Sequence, residues 1–177
     1  MRRFHLGHLV ISCACSIFFT AAAVRTQSCQ ECNNTCEVHA YFAPGPDCEN
    51  NIIDAIENAS TIDIAMYSFT NQRIANTLIK AKQRGANIRI ITDRTQAKNK
   101  YSLIQKMNDA GIPIRFHRGY KIEHNKFAIF DKKYVVTGSF NWTNNASTKN
   151  SENCVFLNCG AYEYNRQFKI LWEKYAI

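Results

Sequence analysis

The stretch from residue 124 to residue 141, HNKFAIFDKKYVVTGSFN, constrains the fold of this chain more than any other. KFAIF and YVVTGSF are β-branched and aromatic runs, and Asp131-Lys132-Lys133 between them is a polar break. That pattern predicts a β-hairpin. Residues two apart in a strand share a face, so His124 and Lys126 point one way and Asn125 and Phe127 the other. Ser139 and Asn141 share a parity at the end of the second strand, where side chains can converge on one pocket. Asp131 has the opposite parity to His124 and sits at the turn, which predicts a structural role. A nucleophilic imidazole, a fixed cation, a hydroxyl and an amide therefore fall within one short span. Such a set suits attack on a phosphodiester, with donors for the charged phosphoryl oxygens.

The rest of the chain alternates strand and helix patterns. Val38 to Phe42 reads as a first strand, ended by Pro44-Gly45-Pro46. Asp47 caps a helix through about Ala59, with Ile52, Ile53, Ile56 and Ala59 at helical spacing. Thr61 to Tyr67 is a buried strand. Asn71 starts a helix to Arg84 that Gly85 closes. Asn87 to Thr92 is a strand, Lys100 to Ala110 a helix, and Ile114 to His117 a short strand. After the hairpin come a strand from Glu152 to Leu157 and an amphipathic helix from Tyr162 to Tyr175. Strands alternating with helices imply βαβ units, and the hairpin adds antiparallel pairs. The expectation is an α/β sandwich in one domain: a mixed β-sheet of six to eight strands, with helices on both faces.

At 177 residues the chain is long enough for one domain with a real core. The N-terminus reads as a processing segment. Arg2 and Arg3 precede an apolar run from Leu9 to Val24, and Ala21-Ala22-Ala23 supplies a small-residue cleavage site. Residues 1–23 are expected to be a signal peptide or, alternatively, an uncleaved anchor; residues 24–37 a Cys-rich linker; and residues 38–177 the functional domain. A signal peptide implies a periplasmic or secreted protein, and an anchor a membrane-bound one. The formal charge is +8, and removing residues 1–23 takes away two arginines and no acid, leaving +6. A basic chain favours polyanionic partners, nucleic acid or anionic lipid. Candidate contacts are Arg94, Lys98, Arg118 and Lys121, with Lys100, Arg115, Tyr101 and Tyr120 beside them. Trp142 reads either as a base contact or as core.

Six cysteines follow the leader: Cys29, Cys32, Cys36, Cys48, Cys154 and Cys159. An even number in an exported chain points to disulfides, whose pairing the sequence does not choose. Cys29, Cys32, Cys36 and His39 also have zinc-ligand spacing, which leaves a metal site as the alternative.

The segment H-x-K-x4-D-x6-G-S-x-N resembles the HKD motif of the phospholipase D superfamily, present once. From about Tyr41 onward, AYFAPG, IDIAMYSFTNQRIANTLIKAKQRGANIRIITD, GIPIRF, GSFNWT and NSEN resemble the small bacterial Nuc-type endonucleases. They are also similar to the animal Zucchini/mitochondrial phospholipase D group. The resemblance implies a phosphodiesterase without metal or other cofactor, built as a homodimer whose two single motifs form one active site. It implies His124 as nucleophile, Lys126, Ser139 and Asn141 as phosphoryl ligands, and Glu152 as the acid that holds the histidine ring. The expected substrate is DNA, with RNA as a further one. The alternatives are a phospholipid such as cardiolipin, and a nucleic-acid-binding protein without turnover.

Overall fold

A computed structural model describes residues 35–176. The leader, Cys29, Cys32 and most of the linker lie outside them. From Thr35 onward the chain forms one compact unit.

Seven strands form one sheet in the order β1-β7-β6-β5-β2-β3-β4. They are β1 (Val38–Ala43), β2 (Thr61–Met66), β3 (Asn87–Thr92), β4 (Ile114–Phe116), β5 (Lys126–Phe130), β6 (Tyr134–Gly138) and β7 (Glu152–Leu157). β2, β3 and β4 are parallel neighbours, and every pairing from β2 through β5, β6 and β7 to β1 is antiparallel. The sheet is mixed, as its patterning predicts.

Strand periodicity sends alternate residues into two cores. On one face Ile62, Ile64, Met66, Ile88, Ile90, Ala128 and Phe130 meet helices α1 (Asp47–Asn58) and α2 (Gln72–Gln83). Cys48, Ile52 and Ile56 recur along α1 at intervals of four, as do Ile74, Leu78 and their neighbours along α2, so each helix buries one stripe. On the other face Ala65, Ile91, Phe127, Ile129 and Val135 pack against Phe168, Leu171 and Tyr175 of the last helix and its end. That helix is α6 (Ala161–Lys174). Helices therefore cover both faces.

The region between β3 and β4 departs from the expected single helix over residues 100–110. Asp93 caps a one-turn helix, α3 (Arg94–Ala97), by accepting Thr95 N and Gln96 N. Turns then run to Tyr101, Leu103 N donates to Phe69 O at 3.0 Å, and α4 (Ile104–Asp109) is only six residues long. The physical reason is local capping: Asn99 Oδ1 accepts Tyr101 N and holds a turn where helical spacing alone suggested continuity. A short helix after the hairpin, α5 (Asn144–Thr148), was also hidden in a polar run; Thr143 caps it through Ala146 N.

Two disulfides join distant parts of the chain. Cys36 pairs with Cys159, and Cys48 on α1 pairs with Cys154 on β7. Cys36 is thereby removed from the possible zinc set: a sulfur in a disulfide offers no thiolate to a metal. His39, its fourth member, lies on β1 opposite Phe156.

Candidate active site

The sheet pairing brings several chain segments to one edge. Lys126 opens β5 opposite Met66, the last residue of β2. Tyr67 N donates to Asn125 O at 3.0 Å, which fixes the residues just before β5 beside the end of β2. Gly138 closes β6 opposite Cys154, and Glu152 opens β7. Starts of β5 and β7 and ends of β2 and β6 therefore meet, and the polar residues of the motif meet with them.

Tyr67 forms the floor under the two central residues. The His124 ring stands edge-on to it, with centroids 4.7 Å apart at 64°. Lys126 Nζ lies 5.2 Å from the same ring's centroid and donates to the His124 carbonyl at 2.7 Å. His124 is exposed, and its imidazole makes no hydrogen bond among the described residues. Lys126 is half-buried. Burial pushes its pKa below the usual lysine range, and the carboxylates of Glu152 and Glu123 act against that fall.

Ser139 is fixed by the start of β7. Its Oγ accepts Asn153 N at 3.0 Å, while Ser139 N and Phe140 N both donate to Asn153 O at 3.1 Å. A hydroxyl that accepts one bond still has its O–H to donate. Gly138 makes this approach possible. Its φ is +142°, and a Cβ there would stand 2.4 Å from Asn153 O. Asn141 is half-buried, and its Oδ1 is buried without a hydrogen-bond partner among the described residues. Glu152 Oε1 accepts Asn150 Nδ2 at 3.0 Å. Its carboxylate is therefore bonded to Asn150, while its charge reaches Lys126.

Asp131 lies at the opposite end of the hairpin. Its Oδ1 accepts Ser60 N at 2.9 Å and Thr61 N at 2.8 Å, which ties the turn to the entry of β2. Asp131 and Lys132 both have positive φ, 49° and 60°, as a tight hairpin turn requires.

The basic residues separate into two groups. Arg94, Lys98 and Arg118 line one surface hollow of about 380 Å³ together with Phe116. Lys121 is exposed on the loop before His124 and stands outside that hollow. Arg115 does not belong among the surface contacts. Its guanidinium lies 4.2 Å from the Trp172 ring centroid and donates to the Trp172 carbonyl, so it serves the packing of α6. Tyr120 carries Lys174 Nζ 3.6 Å from its ring centroid, and Lys100 Nζ lies 4.8 Å from that of Tyr101. Trp142 is 1% exposed and packs on Phe69, which makes it core.

One acid beneath the site escaped the sequence reading. Glu123 is 2% exposed. Its Oε1 accepts Asn125 Nδ2 at 2.6 Å and Asn125 N at 3.3 Å, and its Oε2 accepts the Tyr175 hydroxyl at 3.0 Å. Glu123 N donates to Asp93 Oδ2 at 3.1 Å. Burial and Glu123 push the Tyr175 pKa up, so that hydroxyl stays protonated and donates. His117 Nδ1 accepts Arg94 N at 3.1 Å, which requires a lone pair there. Its 3.3 Å approach to Asp93 Oδ2 is then not an ion pair. The residues on either side of His124 are thus held from below while the imidazole itself is left exposed. The parity that sends His124 and Lys126 one way sends Glu123 and Asn125 the other, and that was the available signal.

A family model described as cardiolipin synthase, PLD-like domain, matches residues 52–172. The chain belongs to the phospholipase D superfamily. Curated relatives of this PLD-like domain include the mitochondrial cardiolipin hydrolase of Chlamydomonas reinhardtii. It is 33% identical over 140 residues, 77% of this chain and 63% of the relative. The phospholipase D of Rickettsia prowazekii is 36% identical over 121 residues, 68% and 59% of the two chains. The PLD-like domain described here thus spans about three-fifths of the length of these relatives. Among solved structures, the phospholipase D family member Nuc from Salmonella typhimurium superposes with a TM-score of 0.74 at 31% identity. The match covers 79% of this chain and 96% of Nuc. NucT from Helicobacter pylori superposes with a TM-score of 0.75 at 26% identity, covering 79% and 98%. The PLD-like fold expected from sequence is the fold observed.

Proposed function

We propose that this domain is an endonuclease that hydrolyses phosphodiester bonds of DNA, and of RNA, through a phosphohistidine. The observation that carries the reading is the convergence of His124 and Lys126 on Tyr67, at the edge where Ser139, Asn141 and Glu152 also lie. A ring nitrogen of neutral His124 attacks phosphorus, and the bond from phosphorus to the leaving oxygen breaks. A protonated imidazole gives its proton to that oxygen. The same imidazole, now neutral, takes a proton from water, whose oxygen displaces His124 from phosphorus. Lys126, Ser139 and Asn141 bind the non-bridging oxygens. Glu152 is assigned to orient the histidine ring by the family resemblance; here its carboxylate is bonded to Asn150.

One imidazole cannot begin both neutral and protonated, so a second histidine is required. Among the described residues the others are His39 and His117. His39 sits on β1 four residues from the site edge at Ala43, roughly 13 Å along a strand. His117 is buried, with Nδ1 occupied by Arg94 N. The proton donor is therefore His124 of a second copy, and the enzyme is a homodimer. The two disulfides support an oxidising compartment, periplasmic or extracellular, with residues 1–23 as the export signal.

The second reading keeps the mechanism and changes the substrate to a membrane phospholipid. It is supported by relatives named phospholipase D and mitochondrial cardiolipin hydrolase. Among the described residues no helix is long and apolar enough to cross a membrane, so on this reading the N-terminal segment supplies the attachment. The deciding experiment assays purified protein in EDTA on plasmid DNA, RNA and cardiolipin vesicles, with His124→Ala as control. DNA or RNA cleavage lost in the variant is expected. Lipid hydrolysis alone would install the second reading, and cleavage retained by His124→Ala would remove the mechanism.

A further inference from the structure

Beside His124 lies a cavity of about 640 Å³ whose thirteen lining residues include no charged side chain. Small-ligand sites span roughly 300–1,000 Å³, so the volume suffices for a base with its sugar. Its wall is dominated by carboxamides, with Asn99, Asn141, Asn145 and Gln96 among them, and Leu103 is its one aliphatic member. Tyr67 belongs to this wall and also carries the His124 ring 4.7 Å from its own. His124 and Lys126 line a separate hollow, and Tyr67 and Asn141 are the residues through which this cavity adjoins the site of attack.

We infer that this cavity is the subsite for the nucleobase next to the scissile phosphate, an inference that rests on the nuclease reading above. A carboxamide offers a donor and an acceptor side by side, the combination that pairs with base edges. An acyl chain laid over the same wall would strip water from these amides and return no hydrogen bond. Tyr101 lines the cavity with 65% of its surface exposed, a platform on which a base stacks. Tyr101 N is bonded to Asn99 Oδ1, and Tyr67 Oη accepts Gln96 Nε2 at 3.1 Å, so both aromatic walls are tied to carboxamides of the same cavity.

Helix α3 divides this neutral cavity from a basic one. Gln96 lines the carboxamide side, while Arg94 and Lys98 line the hollow with Arg118. A single strand crossing α3 would place a base on one side and backbone phosphates on the other. Phosphate contacts position a strand and base contacts select within it.

The test uses full-length protein and a labelled single-stranded oligonucleotide, compared with copies that carry one abasic residue at successive positions. Loss of the base flanking the cut should lower wild-type kcat/KM roughly tenfold, the scale of one lost stacking contact. The ratio of intact to abasic cleavage should fall toward one in Tyr101→Ala and, separately, in Asn145→Ala. Both side chains are on the surface, and two variants guard against misfolding of either. Equal cleavage of intact and abasic strands by wild type would overturn the subsite and leave the nuclease reading standing. So would an unchanged ratio in both variants. Hydrolysis of bis(p-nitrophenyl) phosphate or cardiolipin vesicles with no cleavage of any oligonucleotide would overturn the nuclease reading itself, and the subsite with it.

Discussion

The two ends of the β5–β6 hairpin carry the same kinds of polar residue and use them in opposite ways. At the turn, the Asp131 carboxylate accepts two backbone N–H groups at the entry of β2, so its hydrogen-bonding capacity goes into the fold. At the open end, the His124 imidazole has no hydrogen bond among the described residues and Asn141 Oδ1 is buried without a partner. Buried polar capacity left unmet, as at Asn141 Oδ1, costs stability, and a protein keeps it where something else is to be bound. One motif thus contains a structural end and a chemical end, separated by the length of a five-residue strand.

That contrast can be broken by substitution. His124→Ala should lower the proposed nuclease activity by at least about a thousandfold, the scale of losing a nucleophile. Thermal unfolding should show the melting temperature unchanged, because the imidazole is exposed and bonded to nothing described. A drop of several degrees would mean that the open end also holds the fold. Gly138→Ala should act on both properties. The added Cβ meets Asn153 O at 2.4 Å, so β6 and β7 must part and Ser139 must leave its place. A loss of about 2–4 kcal/mol in denaturant unfolding is expected, with activity falling alongside.

Asp131→Ala should separate the two ends. Leaving Ser60 N and Thr61 N without their acceptor should cost about 1–3 kcal/mol. Activity measured well below the melting temperature should stay within a few-fold of wild type. A loss comparable to that of His124→Ala would place Asp131 in the chemistry. The smallest effect is expected at Glu123→Gln, which keeps the shape and removes the charge. Burial pushes the Lys126 pKa down, and Glu123 and Glu152 oppose it. Without Glu123 the ammonium loses its proton at lower pH, so the alkaline limb of the pH–rate profile should move toward acid. An unmoved limb would leave Glu123 with a packing role alone.

Much of this arrangement was legible beforehand, for local reasons. The hairpin, the helix stripes and the alternation of strands with helices follow from side-chain periodicity, which acts within one element. The parity of His124, Lys126 and Asp131 is of the same kind. Periodicity does not record side chains that compete for the backbone: Asn99 holds a turn ahead of α4, and Thr143 starts a helix within a polar run.

The sequence by itself determined which elements form and which functional groups share a strand edge, because both depend on neighbours only a few residues away. The tertiary structure alone decided which polar groups are spent and which remain open. Cys36 meets Cys159 across 123 residues, Tyr175 reaches Glu123 across 52, and Arg115 closes on Trp172 across 57. Such partners are set by how the sheet orders its strands and where α6 lies upon it, and no local period records that. Packing therefore turned Glu123, an acid in an apparently polar loop, into the buried support of the residues around His124.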